Sequence, residues 1–272
     1  PLQFKLFDSG RLDSNRRTMI GHFAMALVLT SCIVILAFFQ RTSISIQTLS
    51  QPLRSIPGGS PYFSVLLFVP VGDMDLSRQV LKENVEYLKT YPGRTDLFLA
   101  HYTDKAEWIR KDPEWYRQNV AYSAQVVGAK FGIMKELIGD ALFRKYDLIW
   151  SVDEDISFRL TNFTALFFLG NKSKALIFAP SMVTASRGRG LQRRLCQPGQ
   201  VKCILQEPNR NCTFRYVQLL EMIAPIFRPA ALDVIFHQCD KCIHNGTDFG
   251  LDHVWCKLAG RLNGRSYKQV CA

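Results

Sequence analysis

The chain has 272 residues, 47% of them hydrophobic, which is enough apolar material for one good-sized core or two small ones. Its net charge of +11 suits anionic partners such as nucleotides, acidic glycans or membrane head groups. The basic residues are scattered and build no nucleic-acid motif, so nucleic acid is set aside as a partner.

The first 60 residues do not read as a folded domain. Residues 1–18 read as a cytosolic tail. Within residues 19–40, the run Gly21 to Phe39 is nineteen residues without Asp, Glu, Lys or Arg, long enough to cross a bilayer as a helix. Arg11, Arg16 and Arg17 precede the run and Arg41 alone follows closely, which puts the N-terminus in the cytosol and the rest across the membrane. No small-x-small cleavage site follows Phe39, so an uncleaved, single-pass signal anchor is expected rather than a removed signal peptide. Residues 41–60, rich in Ser, Pro and Gly, read as a stem.

A folded domain is expected over residues 61–272. Tyr62 to Val71 is an apolar, β-branched run ending at Gly72, and predicts a buried strand. Ser77 to Leu88 has helical spacing, with Val80, Leu81, Val85 and Leu88 on one stripe, and Pro92-Gly93 stops it. Thr95 to Tyr102 predicts a second strand, Lys105 to Asn119 a short helix, and Gln125 to Leu142 a longer helix. Tyr146 to Val152 predicts a third strand, Asn162 to Leu169 a helix, and Ala175 to Ala179 a short strand. Thr213 to Phe227 reads as β-prone around a lone acid, and Arg228 to Cys239 as a helix started by Pro229. Strands alternating with helices at this spacing predict an α/β architecture with a mainly parallel sheet flanked by helices. Such sheets bind ligands at the carboxyl ends of their strands, where Gly72, Tyr102-Thr103-Asp104 and Asp153-Glu154-Asp155 all fall.

Asp153-Glu154-Asp155 carries the most chemistry. Three carboxylates cost too much to bury together unless a cation or a proton compensates them. Asp153 and Asp155, at i and i+2, can chelate one hard divalent ion, Mn²⁺ or Mg²⁺, and that ion can hold a diphosphate. The Ser186 to Arg194 loop is either solvated or an anion-binding lid presenting Arg187, Arg189, Arg193 and Arg194. Glu221 is either a satisfied core carboxylate or a substrate ligand. In the segment Thr247 to Cys256, Asp248 suits a helix cap and Asp252 either a catalytic or an acceptor-binding role.

Four sequons lie beyond the anchor, at Asn162, Asn171, Asn211 and Asn245, where eight asparagines predict about one by chance. Seven of the eight cysteines fall in the last third: Cys196, Cys203, Cys212, Cys239, Cys242, Cys256 and Cys271. In an oxidising lumen they read as a local set of disulfides with one thiol left over. Cys239-Asp240-Lys241-Cys242 as half of a zinc site is the alternative, but no second such pair exists.

Five motifs stand in order. They are Val69-Pro70-Val71-Gly72, His101-Tyr102-Thr103-Asp104, Lys145-Tyr146-Asp147 running on through Trp150 to Asp155, Glu221 to Phe227, and Gly250-Leu251-Asp252. In these the chain resembles, from about Val65 to Cys271, a plant and algal family labelled as related to lysine-ketoglutarate-reductase trans-splicing. That family looks like an A-type glycosyltransferase group. The resemblance implies a type II membrane protein of the Golgi or ER that moves a sugar from a nucleotide-sugar donor to a glycan or glycoprotein acceptor. It implies Asp153 and Asp155 around the metal, and Gly72 and Asp104 shaping the nucleotide pocket. Asp252 is then the general base of an inverting reaction or the orienter of the acceptor in a retaining one, and Glu221 a second catalytic candidate. Family members continue past the position of Cys271 with another strand and a His, so a C-terminal truncation is expected. A non-catalytic lumenal binding or scaffold protein on the same fold is the second reading, and a hydrolase pairing Asp252 with Asp153 or Asp155 the third.

Overall fold

In a computed structural model, the described residues are 47–48, 62–182, 213–239, 243, 248, 250–262 and 270–272. They belong to one compact unit, Ser45–Ala272. The tail, the apolar run 21–39 and the Ser186 to Arg194 loop lie outside them. So do the sequons at Asn211 and Asn245. Among the described residues, no helix is long and apolar enough to cross a membrane.

The elements, in chain order, are β1 (Gln47–Thr48), β2 (Val65–Val71), α1 (Asp75–Leu88), β3 (Thr95–His101), α2 (Lys105–Lys111), α3 (Pro113–Asn119) and β4 (Val120–Gln125). They continue with α4 (Lys130–Leu137), α5 (Asp140–Phe143), β5 (Leu148–Ser151), α6 (Phe163–Ser173), β6 (Ile177–Phe178), β7 (Ile226–Phe227), α7 (Pro229–His237) and α8 (Leu251–Leu262). The sheet order is β1-β4-β3-β2-β5-β7-β6. The four central strands, β4, β3, β2 and β5, are parallel, while β1 and β7 run antiparallel to their neighbours. This is the expected mixed α/β fold with a mostly parallel sheet.

β2 is apolar along its whole length because both its faces are covered. Val65, Leu67, Val69 and Val71 point into a core completed by Leu81, Val85, Trp108, Trp150, Phe158 and Phe167. The alternate residue Phe68 meets Phe98 on the other face, at 5.4 Å between ring centroids. Amphipathic α1 presents Leu81, Val85 and Leu88 to the first core, as its spacing predicts.

The segment expected as one helix over Gln125 to Leu142 divides into α4 and α5, and its first residue, Gln125, ends the strand β4 that precedes it. β4 (VAYSAQ) escaped the sequence pattern because its polar residues hide the alternation. Its pairing with β3 and β1 makes it a strand. Lys105 to Asn119 is two helices, because Pro113 cannot continue the first and pushes Asp112 to φ −140°, ψ 60°. Of the β-prone segment Thr213 to Phe227, only Ile226–Phe227 forms a strand. Pro225 has no amide to donate, yet its carbonyl accepts from the Ser151 amide at 3.0 Å, so the segment still runs beside β5.

Cys256 and Cys271 form a disulfide with Cα atoms 5.7 Å apart. It ties α8 to the stretch Val270–Ala272, which pairs with β6 at Ile177 and with Val217. Cys239 is disulfide-bonded as well, which leaves it no thiolate for zinc.

Candidate active site at the carboxyl edge of the sheet

β3 and β4 lie to one side of β2, and β5 to the other. The strand order therefore reverses between β2 and β5, the point in such sheets where ligands bind outside the carboxyl ends of the strands. The chain leaves β2 at Gly72-Asp73, β3 at Tyr102-Thr103-Asp104 and β5 at Val152 followed by Asp153-Glu154-Asp155. Three segments far apart in sequence thus meet at one edge.

The acidic loop is held from several sides. The Val152 amide donates to the Phe68 carbonyl and the Asp153 amide to the Ile223 carbonyl, both at 3.0 Å. Beyond the acids, the buried Asn84 of α1 donates to the Ile156 carbonyl and accepts from the Phe158 amide. Phe158 then stacks on Trp150, with centroids 4.5 Å apart. A loop tied at both ends presents its carboxylates in one arrangement.

Each acid has a different use. Glu154 accepts from the Gly72 amide at 2.8 Å and from the Tyr102 hydroxyl, so it joins the ends of β2 and β3. Trp108 closes the same corner by donating its indole N–H to the Gly72 carbonyl. Gly72 is required there, since a Cβ would meet the Tyr102 hydroxyl at 2.7 Å. The Tyr102 phenol is held well above its ordinary range, first by burial, then by the bond to Glu154 and the negative field of Glu154, Asp73 and Asp155. Asp73, the residue after Gly72, thus belongs to the same acidic group. Asp73 and Asp155 are exposed and have no ion-pair partner among the described residues. Asp153 differs, because one carboxylate oxygen lies 2.6 Å from the Lys130 ammonium. Lys130 also donates to the Met222 carbonyl and, at 3.4 Å, to that of Ile223. Its pKa is lowered by burial, against the pull of Asp153, Asp248 and Asp155.

Asp248 accepts from the Phe131 amide at 3.0 Å, at the first turn of α4, so the cap expected of it serves a neighbouring helix. Burial raises its pKa, and its other oxygen is buried without a hydrogen-bond partner among the described residues. Glu221 is half-buried and its carboxyl is pushed up by burial and then by the charge of Asp252, in the first turn of α8. These two acids, 31 residues apart in the chain, are therefore electrostatic neighbours. Asp104 caps α2, accepting from the Ala106 amide at 2.8 Å. Arg187 and Arg189 lie outside the described residues. His101, at the end of β3, is fully buried against the Tyr116 hydroxyl at 2.9 Å, and burial lowers its pKa to about 3, so it stays neutral.

Sequence reading expected Gly72, Tyr102 and the acidic loop at one strand edge, where Glu154 joins them, and named Glu221 and Asp252 as separate candidates, which are electrostatic neighbours. It did not single out Asp73 or Lys130. Asp73 was open to discovery, as the first acid after a buried strand. Lys130 carried no signal, because its partners lie 23 and 92 residues away. One further group, Asp140, Asp233 and His237, brings potential ligand atoms within 4.8 Å of one another. It sits on α5 and α7, away from this edge, and its groups already have partners: His237 Nε2 lies 2.6 Å from Asp140, and Arg144 pairs with Asp233 at 2.6 Å.

No family model matches the chain, and no curated protein matches it, so the resemblance to the trans-splicing-labelled family finds no support there. Solved structures overlap with it in part. TarS of S. aureus in complex with UDP-GlcNAc is 14% identical, with a TM-score of 0.44 over 72% of this chain and 53% of that one. The mannosyltransferase PcManGT of Pyrobaculum calidifontis, in complex with GDP-Man and Mn²⁺, is 14% identical, with a TM-score of 0.39 over 77% of this chain and 56% of that one. The 4-diphosphocytidyl-2C-methyl-D-erythritol synthase of Anaerococcus prevotii is 12% identical, with a TM-score of 0.41 over 77% and 86%. The chain spans about half the length of the first two. Overlaps this loose carry no argument about its chemistry.

Proposed function

We propose that the chain is a glycosyltransferase that uses a nucleotide-sugar donor, with its site at the carboxyl edge between β2 and β5. The observation that carries this is the Asp153-Glu154-Asp155 loop, fixed at the point where the strand order reverses, with Asp155 exposed at the carboxyl edge. The donor set fits a hard divalent ion: Asp155 and Asp73 offer exposed carboxylate oxygens without an ion pair among the described residues, and oxygen ligands suit Mn²⁺ or Mg²⁺. Bound there, such an ion neutralises a diphosphate leaving group.

The chain's own residues do the rest. Asp155 borders the metal-diphosphate position, with Asp153 beside it in the same loop, paired to Lys130. Gly72, lacking a side chain, lets the Tyr102 ring lie against the backbone, and the two shape the nucleotide pocket together. Asp104 borders the nucleotide pocket from the start of α2, and Arg187 and Arg189 add positive potential over the phosphates. Burial, and then the charge of Asp252, raises the pKa of the Glu221 carboxyl, and Asp252, in the first turn of α8, is the group proposed to accept a proton from the acceptor hydroxyl. A type II anchor in the Golgi or ER membrane and a glycan acceptor complete the proposal.

Calorimetric titration with Mn²⁺ and UDP or GDP tests it. Metal-dependent nucleotide binding is expected, and its loss in the Asp153→Ala, Asp155→Ala double variant. Absence of such binding, or indifference to the double variant, overturns the proposal. A non-catalytic lumenal binding protein is the second reading, favoured by the Lys130 ion pair that fills one side of Asp153. It predicts that Asp155→Asn still complements a knockout.

A further inference from the structure

Four acids gather at this edge, and they are not equivalent. Lys130, the first residue of α4, leaves only 12% of its side chain exposed. Its ammonium has three hydrogens, and it has three oxygen partners: Asp153 at 2.6 Å, the Met222 carbonyl, and the Ile223 carbonyl at 3.4 Å. The Asp153 amide returns to the Ile223 carbonyl at 3.0 Å, so cation, carboxylate and the 222–223 backbone form one closed unit. That backbone directly follows Glu221, and α4 begins against Asp248. Asp155, two residues along the loop, is exposed and has no ion-pair partner among the described residues.

We propose that Lys130 is a positioning residue of this site: an internal cation that takes Asp153 out of the metal's coordination shell and leaves Asp155 as the loop carboxylate that meets the ion. The inference rests on the glycosyltransferase reading and refines it. The physical reason is charge and space. A divalent ion reaching the same carboxylate oxygen of Asp153 would enter beside a buried ammonium whose hydrogens are already spent, and would be repelled by it. Removing the ammonium would free Asp153 and leave a second carboxylate in want of a cation. By gripping the 222–223 backbone as well, Lys130 holds Glu221 in register with the acidic loop, so acceptor side and donor side are set by one side chain.

The test is Mn²⁺ binding by the full chain, read by calorimetry and by the Mn²⁺ paramagnetic resonance signal, together with the melting temperature with and without Mn²⁺. Asp155→Asn is expected to weaken Mn²⁺ at least about tenfold, and Asp153→Asn to change it less than about threefold. Lys130→Met is expected to tighten Mn²⁺ roughly tenfold and to melt lower without the ion, but to gain more from Mn²⁺ than the wild type does, since the ion replaces the lost ammonium. Lys130→Arg is expected to restore the wild-type response. A merely structural lysine predicts a lower melting temperature with an unchanged Mn²⁺ response, and that result overturns the proposal. So does an Asp153→Asn variant as weak as Asp155→Asn. If Lys130→Met does not fold, the Lys130→Met, Asp153→Leu pair removes both charges together. It is expected to keep wild-type Mn²⁺ affinity, and loss of that affinity overturns the proposal. A wild type that binds no Mn²⁺ with UDP or GDP overturns the glycosyltransferase reading and this one with it, whereas the variant results touch this one alone.

Discussion

Gly72 is the residue where the site tolerates least change. Its amide holds Glu154, its carbonyl holds Trp108, and the Tyr102 ring lies where a side chain would stand. Gly72→Ala must push that ring aside and loosen the Tyr102–Glu154 bond. A loss of about 1–3 kcal/mol is expected in urea unfolding. Tyr102→Phe removes the bond and keeps the ring, so it should cost less. Glu221 makes a second prediction. Its folded-state pKa is raised, so the folded chain binds the proton better than the unfolded one does. The stability tied to that proton is present below the ordinary carboxyl range and is lost as pH rises through the raised value. Glu221→Gln removes the titration. Comparing melting temperatures at acidic and at neutral pH, the wild type should fall further than the variant across that window. An equal fall in both would show that Glu221 binds its proton no better in the folded chain than in the unfolded one.

Among the elements, α8 depends most on a covalent tie. It carries Asp252 in its first turn, and Cys256, one turn on, is joined to Cys271 across a separation of 15 residues. Through Val270–Ala272 that bond fastens the helix to β6 and to Val217. Replacing both cysteines by serine is expected to cost about 3 kcal/mol in denaturant, in line with a loop of this length. Because Glu221 lies outside α8, the same variant should also lessen the part of its raised pKa that Asp252 causes, visible as a somewhat weaker pH dependence of melting. Helix α4 is set from the other direction. Asp248, over a hundred residues away in the chain, caps its first turn, and Lys130 in that turn reaches back to Asp153. An element of eight residues with modest helical propensity is thus held by partners at both ends of the site.

For the molecule as a whole, a donor nucleotide with Mn²⁺ should stabilise the native state by mass action. At a hundred times the dissociation constant the gain is about 2.7 kcal/mol, readable as a rise in melting temperature. Asp155→Asn should abolish that rise without lowering the unliganded melting point, since Asp155 has no partner among the described residues to lose. A lower unliganded melting point would place Asp155 in the fold instead of the site.

Much of the architecture was legible in the residues. Buried parallel strands declare themselves by unbroken apolar runs, as in Val65 to Val71. Amphipathic α1 declares itself by its stripe, and a strand ending in three acids marks an edge that must face solvent or a cation. These signals are local, because burial of each face dictates which residue types can stand there. β4 was not legible, since its polar residues are made a strand by the neighbours on either side. That only Ile226–Phe227 of the β-prone 213–227 segment forms a strand was set by Pro225 and by the course of the chain along β5. The division of labour among the acids was least legible of all. Whether an acid caps, pairs or stays free depends on distances between segments far apart in the chain, and those distances exist only once the sheet has closed around them. Composition placed carboxylates at the edge; folding gave Glu154 to Gly72 and Tyr102, gave Asp153 to Lys130, and left Asp155 open.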